Sequence, residues 1–116
     1  MVRNTRPIGW VRAARKTFAD FPADVQDEMA GALTIAAEGG KADIAKPMKG
    51  LGSGVMEIAL PFRGDAYRAV YVTEIAGSLW VVHAFQKKSK TGIQTPKHEI
   101  DLIRDRVRRL KWELAR

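Results

Sequence analysis

The sequence predicts a single α+β domain, in which a three-strand antiparallel meander and a short N-terminal strand form one small twisted sheet, with a helical segment before the meander and a C-terminal helix after it. Three observations predict it. Between residues 55 and 87 three apolar, β-rich runs are separated by segments of turn composition; apolar residues at helical spacing lie on either side of them; and 116 residues at 46% hydrophobic bury one core but not two, so residues 1–116 form one domain. Neither an internal repeat nor a low-complexity linker divides the chain.

Each element has its own signal. The stretch PIGWVRAA (7–14) reads as a short first strand of irregular alternation. From Pro22 the pattern turns helical: Val25, Met29, Leu33 and Ala36 recur on one face, Pro22 suits a first turn, and Gly39 with Gly40 ends the run. KPMKGLGSG (46–54) reads as a loop that leads into strands Val55 to Phe62, Tyr67 to Ile75 and Leu79 to Lys87, joined by the hairpin turns RGDA and AGS. In the third strand, alternation places Leu79, Val81, His83 and Phe85 on one face and Trp80, Val82 and Ala84 on the other. Both faces are apolar, so this strand is expected to be covered on both sides. Thr95 is the expected N-cap of the last helix, with Pro96 in its first position and Ile100, Ile103, Val107, Leu110 and Leu114 as its apolar stripe. Arg104, Arg106, Arg108, Arg109 and Lys111 cover much of the remainder, as a solvated face or a partner-binding one, and Trp112 falls off the stripe.

Charge narrows the function classes. Twenty Lys and Arg against 13 Asp and Glu give a formal +7, which favours polyanions, although composition alone does not separate nucleic acid from an acidic protein. The distribution is uneven. Residues 20 to 45 hold six acids (Asp20, Asp24, Asp27, Glu28, Glu38, Asp43) and one base, Lys41, so the positive charge lies elsewhere. No window approaches the roughly 18 apolar residues of a membrane span, the start carries no apolar run of signal-peptide length, and cysteine is absent; a cytoplasmic protein is the expectation. Metal catalysis is poorly provided for, since the only histidines are His83 and His98, and Glu57, Asp65 and Glu74 fall on different strands or turns. His83, flanked by apolar residues, reads as a satisfied core histidine.

The strings KPMKGLGSGVMEI, YRAVYV, WVVHAFQKKSKTGIQTP and EIDLIRDRV, in this order and spacing from Trp10 to about Leu110, resemble the RelE/ParE superfamily of type II toxins, and within it the HigB-like, phage-derived branch. The resemblance implies a RelE-like fold and a toxin encoded beside an antitoxin, commonly of helix-turn-helix type in this branch. It further implies a ribonuclease that cuts mRNA, in most relatives on the ribosome, without a cofactor; a minority of the superfamily inhibits DNA gyrase instead. A nucleic-acid-binding corepressor is a third reading that the charge suits. Some relatives use a tyrosine near the C-terminus or a histidine and acid cluster, but here no Tyr follows Tyr71 and His98 stands at the helix start.

RNA carries its own nucleophile in the 2′-OH, so cations that align and neutralise a phosphate suffice for cleavage. On that reading the third strand delivers Lys87 and Lys88 to the rim of a concave sheet face, where they are catalytic candidates, although a polar strand end entering a solvated loop accounts for the same residues. Arg68 leaves a face otherwise made of Val70 and Val72, which requires either a carboxylate such as Glu57 or a phosphate; the resemblance favours phosphate and makes it the third catalytic candidate. Lys46, Lys49, Arg63 and Lys90 are expected to position RNA phosphates near the same sheet end, and Phe85 either stacks on a base or packs in the core.

Overall fold

The computed structural model describes residues 5–88 and 95–115, with the side chain of Lys88 outside the description. In chain order the elements are β1 (Ile8–Trp10), α1 (Arg12–Ala19), α2 (Ala23–Ala37), β2 (Ala45–Pro47), β3 (Val55–Phe62), β4 (Asp65–Ile75), β5 (Ser78–Lys88) and α3 (Lys97–Leu114). Five strands form one sheet in the order β1-β5-β4-β3-β2. The expected meander is its centre, but the sheet is mixed rather than antiparallel, because β1 runs parallel to β5. The loop expected at 46–54 also begins with a short strand, since Ala45–Pro47 pairs with Met56–Ile58.

Helices cover both faces. Against one pack α1 and α2, whose Ala14, Val25, Met29, Leu33 and Ala36 are buried with Ile58, Ala69, Tyr71 and Val81. Three of the six buried residues of α2 are alanines, and Ala32, Ala36 and Ala37 let its backbone approach the sheet closely. The helix stops in a two-bond left-handed cap, with Gly39 N–H donating to Ala36 C=O (3.0 Å) and Gly40 N–H to Ile35 C=O (2.9 Å), and Gly39 takes the positive φ of 98° that the motif needs. An aromatic series, Trp10, Phe18, Phe21 and Tyr67, continues this layer at centroid spacings of 5.0, 5.7 and 5.0 Å, the first two pairs tilted and the last edge-to-face. Against the opposite face, Ile103 and Val107 of α3 bury Val55, Val70, Val72 and Val82.

Two local features fix how β5 lies. Gly9 pairs with Trp80, and a Cβ on Gly9 would stand 2.8 Å from carbons of the indole ring, so only glycine lets β1 lie over that ring. Further along, Val70 pairs with His83 but Tyr71 pairs with Val81, leaving Val82 as an extra residue in β5. That bulge reverses the alternation predicted from the sequence: Leu79, Val81 and then Ala84 face α1 and α2, whereas Trp80, His83 and Phe85 fall with Val72, Val70 and Arg68 on the α3 face.

The outer edge of β3 is closed against further pairing. Ala59 N–H reaches Ile44 C=O at 3.0 Å, and the next outward-facing position is Pro61, which has no N–H to offer. Among the described residues no helix is long and apolar enough to cross a membrane.

Candidate functional site

The α3 face of the sheet is only partly covered by its helix. Beyond the start of α3, over the β3–β4 hairpin, lies an open cleft of about 460 Å³ whose walls include Ala59, Pro61, Ala66, Arg63, Arg68 and Lys87. The pairings Ala59 with Arg68 and Ala66 with Lys87 place these side chains on one face, because directly opposed residues of antiparallel strands project together. Two of the catalytic candidates, Arg68 and Lys87, therefore share one wall.

Arg68 is 7% exposed and its guanidinium is held from behind. Nη1 donates to Glu57 Oε1 at 3.1 Å and to Thr95 Oγ1 at 3.3 Å, while the Thr95 hydroxyl donates to Glu57 Oε2 at 2.7 Å. Of the two partners the sequence allows for Arg68, the structure contains the carboxylate. The ring of bonds also corrects the reading of Thr95: α3 begins at Lys97 with Pro96 as its N-cap, no side chain caps it, and the Thr95 hydroxyl serves the sheet instead.

Arg63 reaches the cleft from a two-residue turn in which it and Gly64 both have positive φ, 51° and 85°. This is the type I′ geometry that matches sheet twist, and it is unfavourable for a residue with a Cβ. The guanidinium lies 5.1 Å from the centre of the Phe62 ring, which packs with the α1 and α2 core, so this cation–π contact holds it at the hairpin tip on the side away from Arg68. Asp65, also on the cleft wall, accepts a 2.8 Å bond from Gln86.

The remaining candidates are scattered. Lys46 is exposed on β2 opposite Glu57, on the same face as Arg68. Lys49 does not share the sheet end of Arg63, as the sequence reading expected: it lies in the loop before β3, with the length of that strand, roughly 23 Å, between them. Phe85 is 6% exposed and stands against His83 at 5.4 Å, so its ring is packing beneath the cleft and offers no open face to a base. The Lys88 side chain and the whole of Lys90 lie outside the described residues.

A second polar group, unread in the sequence beyond its histidine, joins β5 to α3. His83, 5% exposed, meets Glu99 Oε1 through Nε2 at 2.6 Å, and Arg106 Nη1 lies 2.8 Å from Nδ1 and 3.0 Å from Val82 C=O. Since a guanidinium only donates, Nδ1 is the acceptor and Nε2 carries the proton to Glu99, which defines a neutral imidazole. Burial holds His83 below its ordinary pKa of 6.5, against the pull of Glu99 in the other direction. The spacing of Glu99 and Arg106, two helical turns apart on one face, was the available signal.

The electrostatics of the two sheet faces differ. Asp24, Asp27 and Glu28 stand exposed on α2, across the sheet from Arg68 and Lys87, while Arg12, Arg15 and Lys16 stand exposed on α1 of that same face, so local repulsion of a polyanion there is confined to the α2 surface. Among the described residues no group of three or more His, Asp or Glu is arranged to hold a metal ion.

No curated protein and no solved structure matches the chain significantly. The model of one family, the phage derived protein Gp49-like family (DUF891), matches residues 16–108, a span that contains α2, the whole of the sheet except β1, and every residue of the two polar groups. The chain belongs to the phage-derived Gp49-like family.

Proposed function

We propose that this protein is the toxin of a type II toxin-antitoxin pair, a RelE/ParE-type protein of the HigB-like branch that cleaves mRNA in the cytoplasm, on the ribosome, without a metal ion. The observation that carries the reading is that Arg68 and Lys87 share one wall of an open cleft, with Arg63 in the hairpin turn at its edge and the acids of α2 on the other side of the sheet. Membership of a phage-derived family and the sequence resemblance support it.

In that cleft the 2′-oxygen of a ribose attacks the adjacent phosphorus as the bond to the 5′-oxygen breaks, giving a 2′,3′-cyclic phosphate and a 5′-hydroxyl. The 2′-OH loses its proton to water and the departing 5′-oxygen gains one. On this reading Lys87, with Lys88 beside it in the chain, supplies that proton, Arg68 offsets the charge that builds on the phosphoryl oxygens, and Arg63 positions the RNA backbone. So small a domain gains most of its alignment from a message already held in the decoding site. The partner on this reading is an antitoxin of helix-turn-helix type that covers the cleft or shifts α3.

Inducing the gene alone and mapping transcript ends tests the reading. Growth arrest with cyclic-phosphate and 5′-hydroxyl termini is expected. Termini of 3′-hydroxyl type, supercoiling inhibition without cleavage, or operator binding without a growth defect would each replace it, the last two with a gyrase inhibitor and a corepressor.

A further inference from the structure

The three short strings MEI, YRA and QTP, far apart in sequence, meet in the closed ring of Glu57, Arg68 and Thr95. Each member bonds to both others. Glu57 uses both carboxylate oxygens, one for Arg68 and one for Thr95, and the Thr95 hydroxyl is at once donor to Glu57 and acceptor from Arg68. A valine at residue 95 would fill the same volume but supply neither bond, whereas serine would supply both.

Thr95 belongs to neither strand. It stands two residues before the first turn of α3, so the ring couples the entry of that helix to the sheet. Because Nη1 is the guanidinium atom engaged by both partners, the ring fixes the rotation of a planar group whose usefulness to a phosphate depends on the direction of its N–H bonds. The carboxylate also offsets the cost of keeping Arg68 ionised at 7% exposure.

We propose, resting on the reading of this chain as an RNA-cleaving enzyme, that Glu57 and Thr95 are positioning residues that aim Arg68 into the cleft, so that seating the start of α3 on the sheet is a condition of cleavage. Neither touches the substrate; both act through Arg68. The ring lowers the barrier by fixing the guanidinium before the message arrives.

Thr95→Val, Thr95→Ser and wild type, each shown folded by thermal melting, are compared in a translation extract programmed with a single mRNA, with cleavage followed by primer extension at varied message concentration. The proposal expects Thr95→Val to lower the rate at saturating message by roughly five- to tenfold with the half-saturating concentration unchanged, and Thr95→Ser to restore it. Should Thr95→Val not fold, Glu57→Gln replaces it: the amide keeps the size but not the paired charge, and the same loss at saturation is expected. Equal rates for wild type and Thr95→Val, or equal losses for Thr95→Val and Thr95→Ser, overturn the positioning role and leave the nuclease reading standing. A folded wild type that cleaves nothing overturns both.

Discussion

His83 and Glu99, on β5 and α3, meet at 2.6 Å in the interface between sheet and C-terminal helix. The bond belongs to a line of three, Glu99 to His83 to Arg106, in which an acid and a base flank a neutral imidazole. The buried α3 stripe contributes only Ile103 and Val107 as fully covered residues, so this polar line is a substantial part of what fixes the helix position.

Removing the imidazole is predicted to be costly. His83→Ala leaves a carboxylate and a guanidinium facing a void, and a loss of about 2–4 kcal/mol in urea unfolding is expected. The same group predicts a pH dependence. Its folded pKa lies below 6.5, so between that value and the folded one the unfolded chain binds the extra proton; stability is fully present above pH 6.5 and falls as the pH drops below it. The charged and titratable neighbours are Glu99, which opposes the shift, and Arg106 and His98, which reinforce it. Asp101, held low mainly by its bond to Lys97, acts in the same direction only below 3.8. Urea midpoints from pH 7.5 to 5 should decline in the wild type and flatten in His83→Gln.

Gly9→Ala tests the seat of β1. The added methyl would stand 2.8 Å from the Trp80 ring, inside any tolerable contact, and either β1 or the indole must shift. A loss of about 1–3 kcal/mol is expected, with a changed tryptophan emission reporting the displaced ring.

Arg63→Asn separates stability from activity. Asparagine suits the first position of a type I′ turn better than arginine does, and the substitution relieves a φ of 51°. Thermal stability should rise by about 0.5–1 kcal/mol while cleavage at low message concentration weakens, because a phosphate-positioning cation is gone. A variant both more stable and fully active would make Arg63 a turn residue only.

The meander was legible because its signals are local: β3 has the bounds its composition suggests, and the Arg63-Gly64 and Ala76-Gly77 turns are marked by glycine in the position where φ is positive. The bulge at Val82 was not, since one more valine in an apolar run changes nothing in composition yet moves His83 and Phe85 to the other face. Thr95 misled for a related reason. A threonine before Pro96 has the look of a cap, and nothing nearby indicates that its hydroxyl reaches Glu57, 38 residues earlier. The pairing of Arg68 with Glu57 could be anticipated, because both sit at same-face positions on neighbouring strands and a buried guanidinium needs a counter-charge. The short β2 escaped because three residues are too few to show a period, whereas β1 was read as a strand and only its parallel pairing and the helix that starts at Arg12 were missed.

Lys87→Ala combined with Lys88→Ala, expressed at wild-type level and melting at the wild-type temperature, addresses the cleft most directly. Loss of growth arrest and a fall of roughly hundredfold or more in message cleavage are predicted, since the variant removes the ammonium groups assigned to the departing oxygen. Undiminished cleavage by the folded double variant would contradict the account.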